Sequence, residues 1–174
     1  MPSKRNDQAP GSRKRVSLVL TVKNEAPSLP DLLASLARQT RQPDEIVVVD
    51  GGSQDDTVAL LECWRDRLPL RIIVMPGATI AEGRNRAIAE ARGEIVAVTD
   101  GGVVLEPDWL ERLVAPFEGD EAPDVVSGFF VADPRSPVEL ALAVTTLPDA
   151  GEIDPARFLP SSRSVAFRRS LFLA

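Results

Sequence analysis

Two aspartates stand at the ends of short apolar runs, each followed by a pair of glycines. Asp50-Gly51-Gly52 follows Ile46-Val47-Val48-Val49, and Asp100-Gly101-Gly102 follows Ile95-Val96-Ala97-Val98-Thr99. A carboxylate in such a place can accept a hydrogen bond from a ring N–H, such as that of uracil. It can also ligate a hard divalent cation, which prefers oxygen. Paired glycines let the backbone turn sharply and approach a ligand closely. Asp50 suits the first task; the strand end itself needs no carboxylate, whereas Ser53, Asp55 and Thr57 nearby are accounted for by turn and capping chemistry. Asp100 suits the second, as a ligand for Mg²⁺ or Mn²⁺ bridging a diphosphate. Arg84, in Gly83-Arg84-Asn85, can reach a phosphate bidentately.

The elements that must carry these residues follow from the pattern. Both apolar runs hold too little polar character for a strand wet on one side, so each is expected in a parallel sheet buried on both faces. Ligands of such sheets bind outside the carboxyl ends of the strands, where both aspartates emerge. Strands are expected at residues 16–22, 45–50, 71–75 and 94–99. A helix opened by Ser28 and Pro30 comes first between them. A second starts at Asp55-Asp56-Thr57, and a third runs to Arg92 behind the capping box of Thr79 and Glu82, with Gly93 as its stop. Strict alternation means an α/β fold with right-handed crossovers. Past residue 100 the pattern loosens. It gives a short helix from Pro107-Asp108-Trp109-Leu110, a strand at 125–131, a helix at 137–147, a strand at 163–168 and a helix starting at Ser170.

Composition narrows the chemistry. The 174 residues include no His and one Cys. Histidine acid/base catalysis, Ser-His-Asp triads and His- or Cys-clustered metals are thereby excluded within the chain. Cys63, beside Leu60, Leu61 and Trp64, is expected to be a buried bystander. A net charge of −6 speaks against nucleic acid as a partner. Residues 1–15 are polar and basic and are expected to be a disordered tail, with weak attraction to anionic lipid as its one functional use. No run of apolar residues is long enough to span a membrane. Neither G-x-x-x-x-G-K-[ST] nor G-x-G-x-x-G occurs, so a kinase-like or dehydrogenase-like site has no support.

Taken in order, these motifs resemble those of the inverting family 2 glycosyltransferases, which have the GT-A fold. Thr21-Val22-Lys23-Asn24-Glu25 is similar to the turn after that family's first strand. Asp50-Gly51-Gly52-Ser53 with Asp55 and Thr57 resembles its D-x-x-S-x-D-x-T segment. Gly83-Arg84-Asn85 and then Ala91-Arg92-Gly93-Glu94 resemble its A-R-N … A-x-G-E join. Asp100 falls at its D-x-D position, and Pro107-Asp108-Trp109-Leu110 matches its P-D-W-L. The resemblance covers residues 16–174 as one domain, with a Rossmann-like, mostly parallel sheet carrying helices on both faces.

That resemblance implies a nucleotide-diphospho-sugar donor and a glycan, lipid-linked or other hydroxyl acceptor, with inversion at the anomeric carbon. It implies a donor site of Thr21, Asn24, Glu25, Asp50, Gly51, Ser53, Arg84, Asn85, Asp100 and Gly101, with Asp100 as ligand of Mn²⁺ or Mg²⁺. It further implies a cytoplasmic setting, at the inner face of the membrane, in cell-envelope polysaccharide biosynthesis. Two departures stand out. The D-x-D position reads Asp100-Gly101-Gly102, so the second carboxylate is missing. The family's catalytic base falls after the strand resembled by 163–168, which places it beyond Ala174 and makes the acceptor half incomplete. Were the base within the chain, Asp133, Asp149 and Glu152 would be the first to test. The alternative reading is a non-catalytic nucleotide-binding module or fragment.

Overall fold

The structure, a computed structural model, describes residues 13–134, 136–146, 151, 153–154 and 161–172. Its centre is a six-stranded sheet. The strands are β1 (Val16–Val22), β2 (Glu45–Asp50), β3 (Leu70–Val74), β4 (Ile95–Val98), β5 (Val125–Ser127) and β6 (Val165–Arg168), in the order β3-β2-β1-β4-β6-β5. The first four strands are parallel, with Val22 beside Asp50 and Val19 beside both Val47 and Val98. β6 runs antiparallel to both β4 and β5, so the sheet is mixed at this end. β4 is buried throughout, and β1 and β2 nearly so, as their unbroken apolar runs require.

Helices cover both faces. On one, α1 (Leu29–Ala37), α2 (Thr57–Cys63) and α4 (Trp109–Val114) bury Leu29, Leu32, Leu33, Leu36, Leu61, Leu110 and Leu113 against Leu18, Leu20, Ile46 and Val48. On the other, α3 (Ile80–Glu90) sets Ala87 and Ile88 on Val19, Val47, Val49, Val96 and Val98. α3 lies unusually close to the sheet. A Cβ on Gly83 would stand 2.9 Å from Thr21 Cγ2 and 3.4 Å from Val49 Cγ1, so the absence of a side chain sets the approach. The capping box at its start forms as expected: Glu82 N–H donates to Thr79, and Thr79 N–H donates to Glu82 Oε2. A fifth helix, α5 (Pro137–Thr146), follows β5. Leu147, expected within it, lies outside the described residues.

Several expectations need correction. β3 starts one residue earlier than expected, and the strand expected at 125–131 pairs only over Val125–Ser127. Ser28 does not cap α1, because its hydroxyl donates to Glu25 Oε2 at 2.6 Å instead. Gly93 is not a left-handed stop. A Cβ there would lie 2.6 Å from Ser17 N and 2.9 Å from Arg15 O, and its N–H donates to Ser17 Oγ at 2.7 Å, so its smallness serves packing against β1. Cys63 is exposed, because it ends α2 on the side away from Leu61. The ordered body also starts before Val16: Lys14 O accepts from Arg41 Nη2 at 2.8 Å, and Arg41 pairs with Glu118 at 3.0 Å. Residues 1–12 of the expected tail lie outside the described residues. The segment after β6 forms a 3₁₀ turn, Arg169–Leu171, with no buried residue.

Candidate functional site

Strand order locates the site. The chain winds β1-β2-β3 in one direction and then returns to place β4 on the other side of β1. The carboxyl ends of β1 and β4 therefore diverge at a switch point, where open α/β sheets form a ligand crevice. Asp50 and Asp100 leave the same edge of the sheet, but β1 stands between their strands, so the Asn24–Glu25 turn lies between them.

Two loops are braced together there. Asn24 adopts φ 55, a left-handed conformation that Asn tolerates. Its N–H donates to Ser53 Oγ at 2.8 Å, and its Oδ1 accepts from Gln54 N–H at 2.8 Å. Glu25 N–H donates to Thr57 Oγ1 at 2.8 Å, and Ala26 N–H donates to Asp55 Oδ2 at 3.1 Å. The Thr57 hydroxyl and backbone N–H donate to Asp55 Oδ1, and the hydroxyl above all holds the Asp55 carboxyl below its ordinary value. Gly52, at φ 88 with Pro76 Cα 2.9 Å from where a Cβ would stand, closes the turn.

Asp50 organises this turn from behind. It is fully buried. Its Oδ2 accepts from Gly52 N–H and Ser53 N–H, each at 2.9 Å, and its Oδ1 accepts from the Ser53 hydroxyl. The strand end does need a carboxylate, contrary to the sequence reading, because three donors of the loop converge on it.

In front of the turn lies a cavity of about 560 Å³, within the usual size of ligand sites. Of the residues expected from sequence, Thr21, Asn24, Glu25, Gly51, Arg84, Asp100 and Gly101 line it. Asp50 and Ser53 stand behind its wall, and Asn85 is exposed on α3, outside the lining. The structure adds Lys23, Thr79, Gly102 and Ser162. Lys23 was legible as part of the turn after β1. Ser162 was not, since only the return of β6 beside β4 brings it to Asp100. Arg84 Nη2 donates to Asp100 Oδ1 at 2.8 Å, and Ser162 Oγ donates to Asp100 Oδ2 at 3.4 Å. Arg84 Nε is buried without a hydrogen-bond partner among the described residues.

The expected metal fits this lining poorly. Of the two carboxylates in the lining, Glu25 accepts from the Ser28 hydroxyl at 2.6 Å, and Asp100 has its Oδ1 already paired with a guanidinium. Gly102 brings no oxygen from a side chain. No group of three or more His, Cys, Asp or Glu able to hold a metal occurs among the described residues. A cation held here would be bound mostly by its ligand and water.

A second cavity, of about 730 Å³, adjoins the first across Gly102. Its wall carries Trp109, Phe129 and Phe130 together with Asp31, Glu106, Asp133 and Glu139. The two Phe rings stack at 5.8 Å, and the Arg163 guanidinium sits 4.8 Å over Phe130. Trp109 Nε1 donates to Ser164 Oγ at 2.9 Å. Asp133 thus faces this cavity, while Asp149 and Glu152 lie outside the described residues. No helix among the described residues is long and apolar enough to cross a membrane.

Comparison with known proteins accords with this geometry. The profile of "Glycosyl transferase family 2" matches residues 17–161. Validoxylamine A glucosyltransferase of Streptomyces hygroscopicus subsp. limoneus is 32% identical over 136 residues, covering 74% of this chain and 30% of that protein. Two solved structures share the fold. S. aureus TarS 1-349 in complex with UDP-GlcNAc has a TM-score of 0.72 at 22% identity, covering 91% of this chain and 46% of that one. Mannosyltransferase PcManGT from Pyrobaculum calidifontis, in complex with GDP-Man and Mn²⁺, has a TM-score of 0.68 at 24% identity, covering 98% and 50%. The chain therefore spans about a third of that relative's length and about half of each structure's chain. The sheet is of the GT-A type expected from the sequence. From its profile match and its relatives, the chain belongs to glycosyl transferase family 2.

Proposed function

We propose that this chain carries the donor-binding half of a glycosyltransferase that takes a nucleotide-diphospho-sugar and transfers the sugar, with inversion, to an acceptor hydroxyl. The observation that carries the reading is the pair of cavities meeting at Gly102, one at the switch point carrying Lys23, Glu25, Arg84 and Asp100, the other aromatic and acidic. The nucleoside diphosphate lies in the first, against Gly51 and the Asn24–Glu25 turn, with its phosphates toward Arg84. Asp50 and Ser53 act through the shape of the loop. The acceptor enters by the second, whose wall of Trp109, Phe129 and Phe130 suits a sugar or other ring.

In the reaction the acceptor oxygen attacks the anomeric carbon from the face opposite the nucleotide. The carbon–oxygen bond to the diphosphate breaks, and the nucleoside diphosphate leaves with the bonding electrons. The acceptor's proton passes to a carboxylate base. The same reading places the chain in the cytoplasm, at the inner face of the membrane, in cell-envelope polysaccharide synthesis. The test is a panel of uridine- and guanosine-diphosphate sugars, with binding and nucleotide release measured separately. Saturable binding of one nucleotide class supports the reading. No binding of any nucleoside diphosphate at millimolar concentration would refute it.

A further inference from the structure

Accepting that the switch-point cavity takes a nucleoside diphosphate, we propose that Arg84 and Lys23, rather than a divalent cation, neutralise its phosphates, so that donor binding is metal-independent. Asp100 is the residue on which a metal would depend, and the protein already uses it. Its Oδ1 accepts from Arg84 at 2.8 Å and its Oδ2 from Ser162 at 3.4 Å. A divalent ion at Oδ2 would compete with Ser162 and sit beside the guanidinium already paired with Oδ1. At the position where a second carboxylate would stand, Gly102 is exposed and meets nothing within 4 Å.

The cations are placed for the opposite arrangement. Arg84 is largely enclosed, with 23% of its side chain exposed, and only one of its nitrogens is held by Asp100. Nε is buried without a hydrogen-bond partner among the described residues. A guanidinium offers five donors in a planar fork that matches phosphate, so one carboxylate leaves most of them unspent. Asp100 is then a positioning residue for Arg84. Gly83 brings this segment of α3 hard against Thr21 and Val49, which sets Arg84 at the cavity. Lys23 comes from the other wall. Its Cδ would lie 3.4 Å from a Cβ on Gly51, so the glycine leaves room for the lysine stem along the loop.

Calorimetry of UDP and GDP on the full chain tests this, once in EDTA and once in Mn²⁺, with uridine and guanosine as phosphate-free controls. The wild-type affinity for the bound diphosphate is expected to differ less than threefold between the two conditions. Arg84→Ala should weaken diphosphate binding at least tenfold in both conditions and leave nucleoside binding unchanged. Arg84→Lys should recover part of the loss. Lys23→Ala, an exposed change with no folding consequence, should weaken the diphosphate several-fold. Gly102→Asp, which adds the second carboxylate in open space, should create a Mn²⁺ response of tenfold or more that the wild type lacks. Wild-type binding that vanishes in EDTA and returns with Mn²⁺ would overturn the proposal while leaving the nucleotide reading intact. So would full affinity in the folded Arg84→Ala and Lys23→Ala variants. Failure to bind either diphosphate in either condition would overturn both.

Discussion

Replacing Asp50 by Ala separates a loop-building carboxylate from a ligand-reading one. Asp50 is fully buried and takes hydrogen bonds from Gly52 N–H, Ser53 N–H and the Ser53 hydroxyl. Hydrogen bonds to a charged group contribute about 1.5–3 kcal/mol each. Gly52 and Ser53 are themselves half-buried, so water can recover part of the loss. Asp50→Ala is therefore expected to destabilise the fold by about 2–4 kcal/mol, a large share of a typical total of about 5–15. Asp50→Asn should cost only about 1 kcal/mol. Its carbonyl oxygen can keep both N–H bonds, and the amide can donate to Ser53 Oγ, which reverses its role. Urea unfolding of both variants gives these values, and calorimetry with UDP or GDP gives the accompanying affinities. Binding should fall with stability for Ala and persist within a few-fold for Asn. A fully stable Asp50→Ala variant with abolished binding would refute the reasoning and give the oxygens to the nucleobase.

Other consequences follow from the same geometry. Gly93→Ala should destabilise by about 2–4 kcal/mol, since its Cβ would meet the backbone of Ser17 in β1 and of Arg15 before it, which cannot yield. Gly102→Ala should stay within about 0.5 kcal/mol, as its site is open; thermal unfolding of the pair checks both. Thr79→Ala removes the capping box of α3 and should lower stability by about 1 kcal/mol in the same assay. The Asp55 carboxyl is held below its ordinary value of 3.8, chiefly by the Thr57 hydroxyl, so its stabilising effect is present above that pH and is lost as pH falls through the lowered value. Melting curves taken downward from pH 4 should accordingly show a shallower decline for Asp55→Asn than for the wild type.

The alternating half of the fold was legible because burial on both faces leaves a plain mark. The runs ending at Asp50 and Asp100 could be read as parallel strands, and β1 and β2 match their expected bounds. Thr79 and Glu82 announced α3 through chemistry local to the sequence. Glycines were harder to read. Gly93 looks like a helix stop in sequence, yet its reason is contact with Ser17 in β1 and with Arg15 just before it, which no local pattern reports. In the site, residues on the loops after β1, β2 and β4 could be read from their motifs. Their depth could not, because whether Asp50 faces a ligand or a loop depends on which amide groups converge on it. Ser162 and the aromatic wall of the second cavity come from the segment where the pattern loosens. The antiparallel pairing of β6 with β4, and of β5 with β6, brings Ser162, Phe129 and Phe130 into the site.

The crevice between the ends of β1 and β4 is expected to hold a nucleoside diphosphate. A crystal structure of the chain grown with UDP or GDP tests it most directly. Density for the diphosphate is expected in the cavity between the Asn24–Glu25 turn and the Asp100-Gly101-Gly102 turn, with a phosphate oxygen within hydrogen-bond distance of Arg84. Nucleotide bound elsewhere on the molecule, or in this cavity with its phosphates turned away from Arg84, would contradict it.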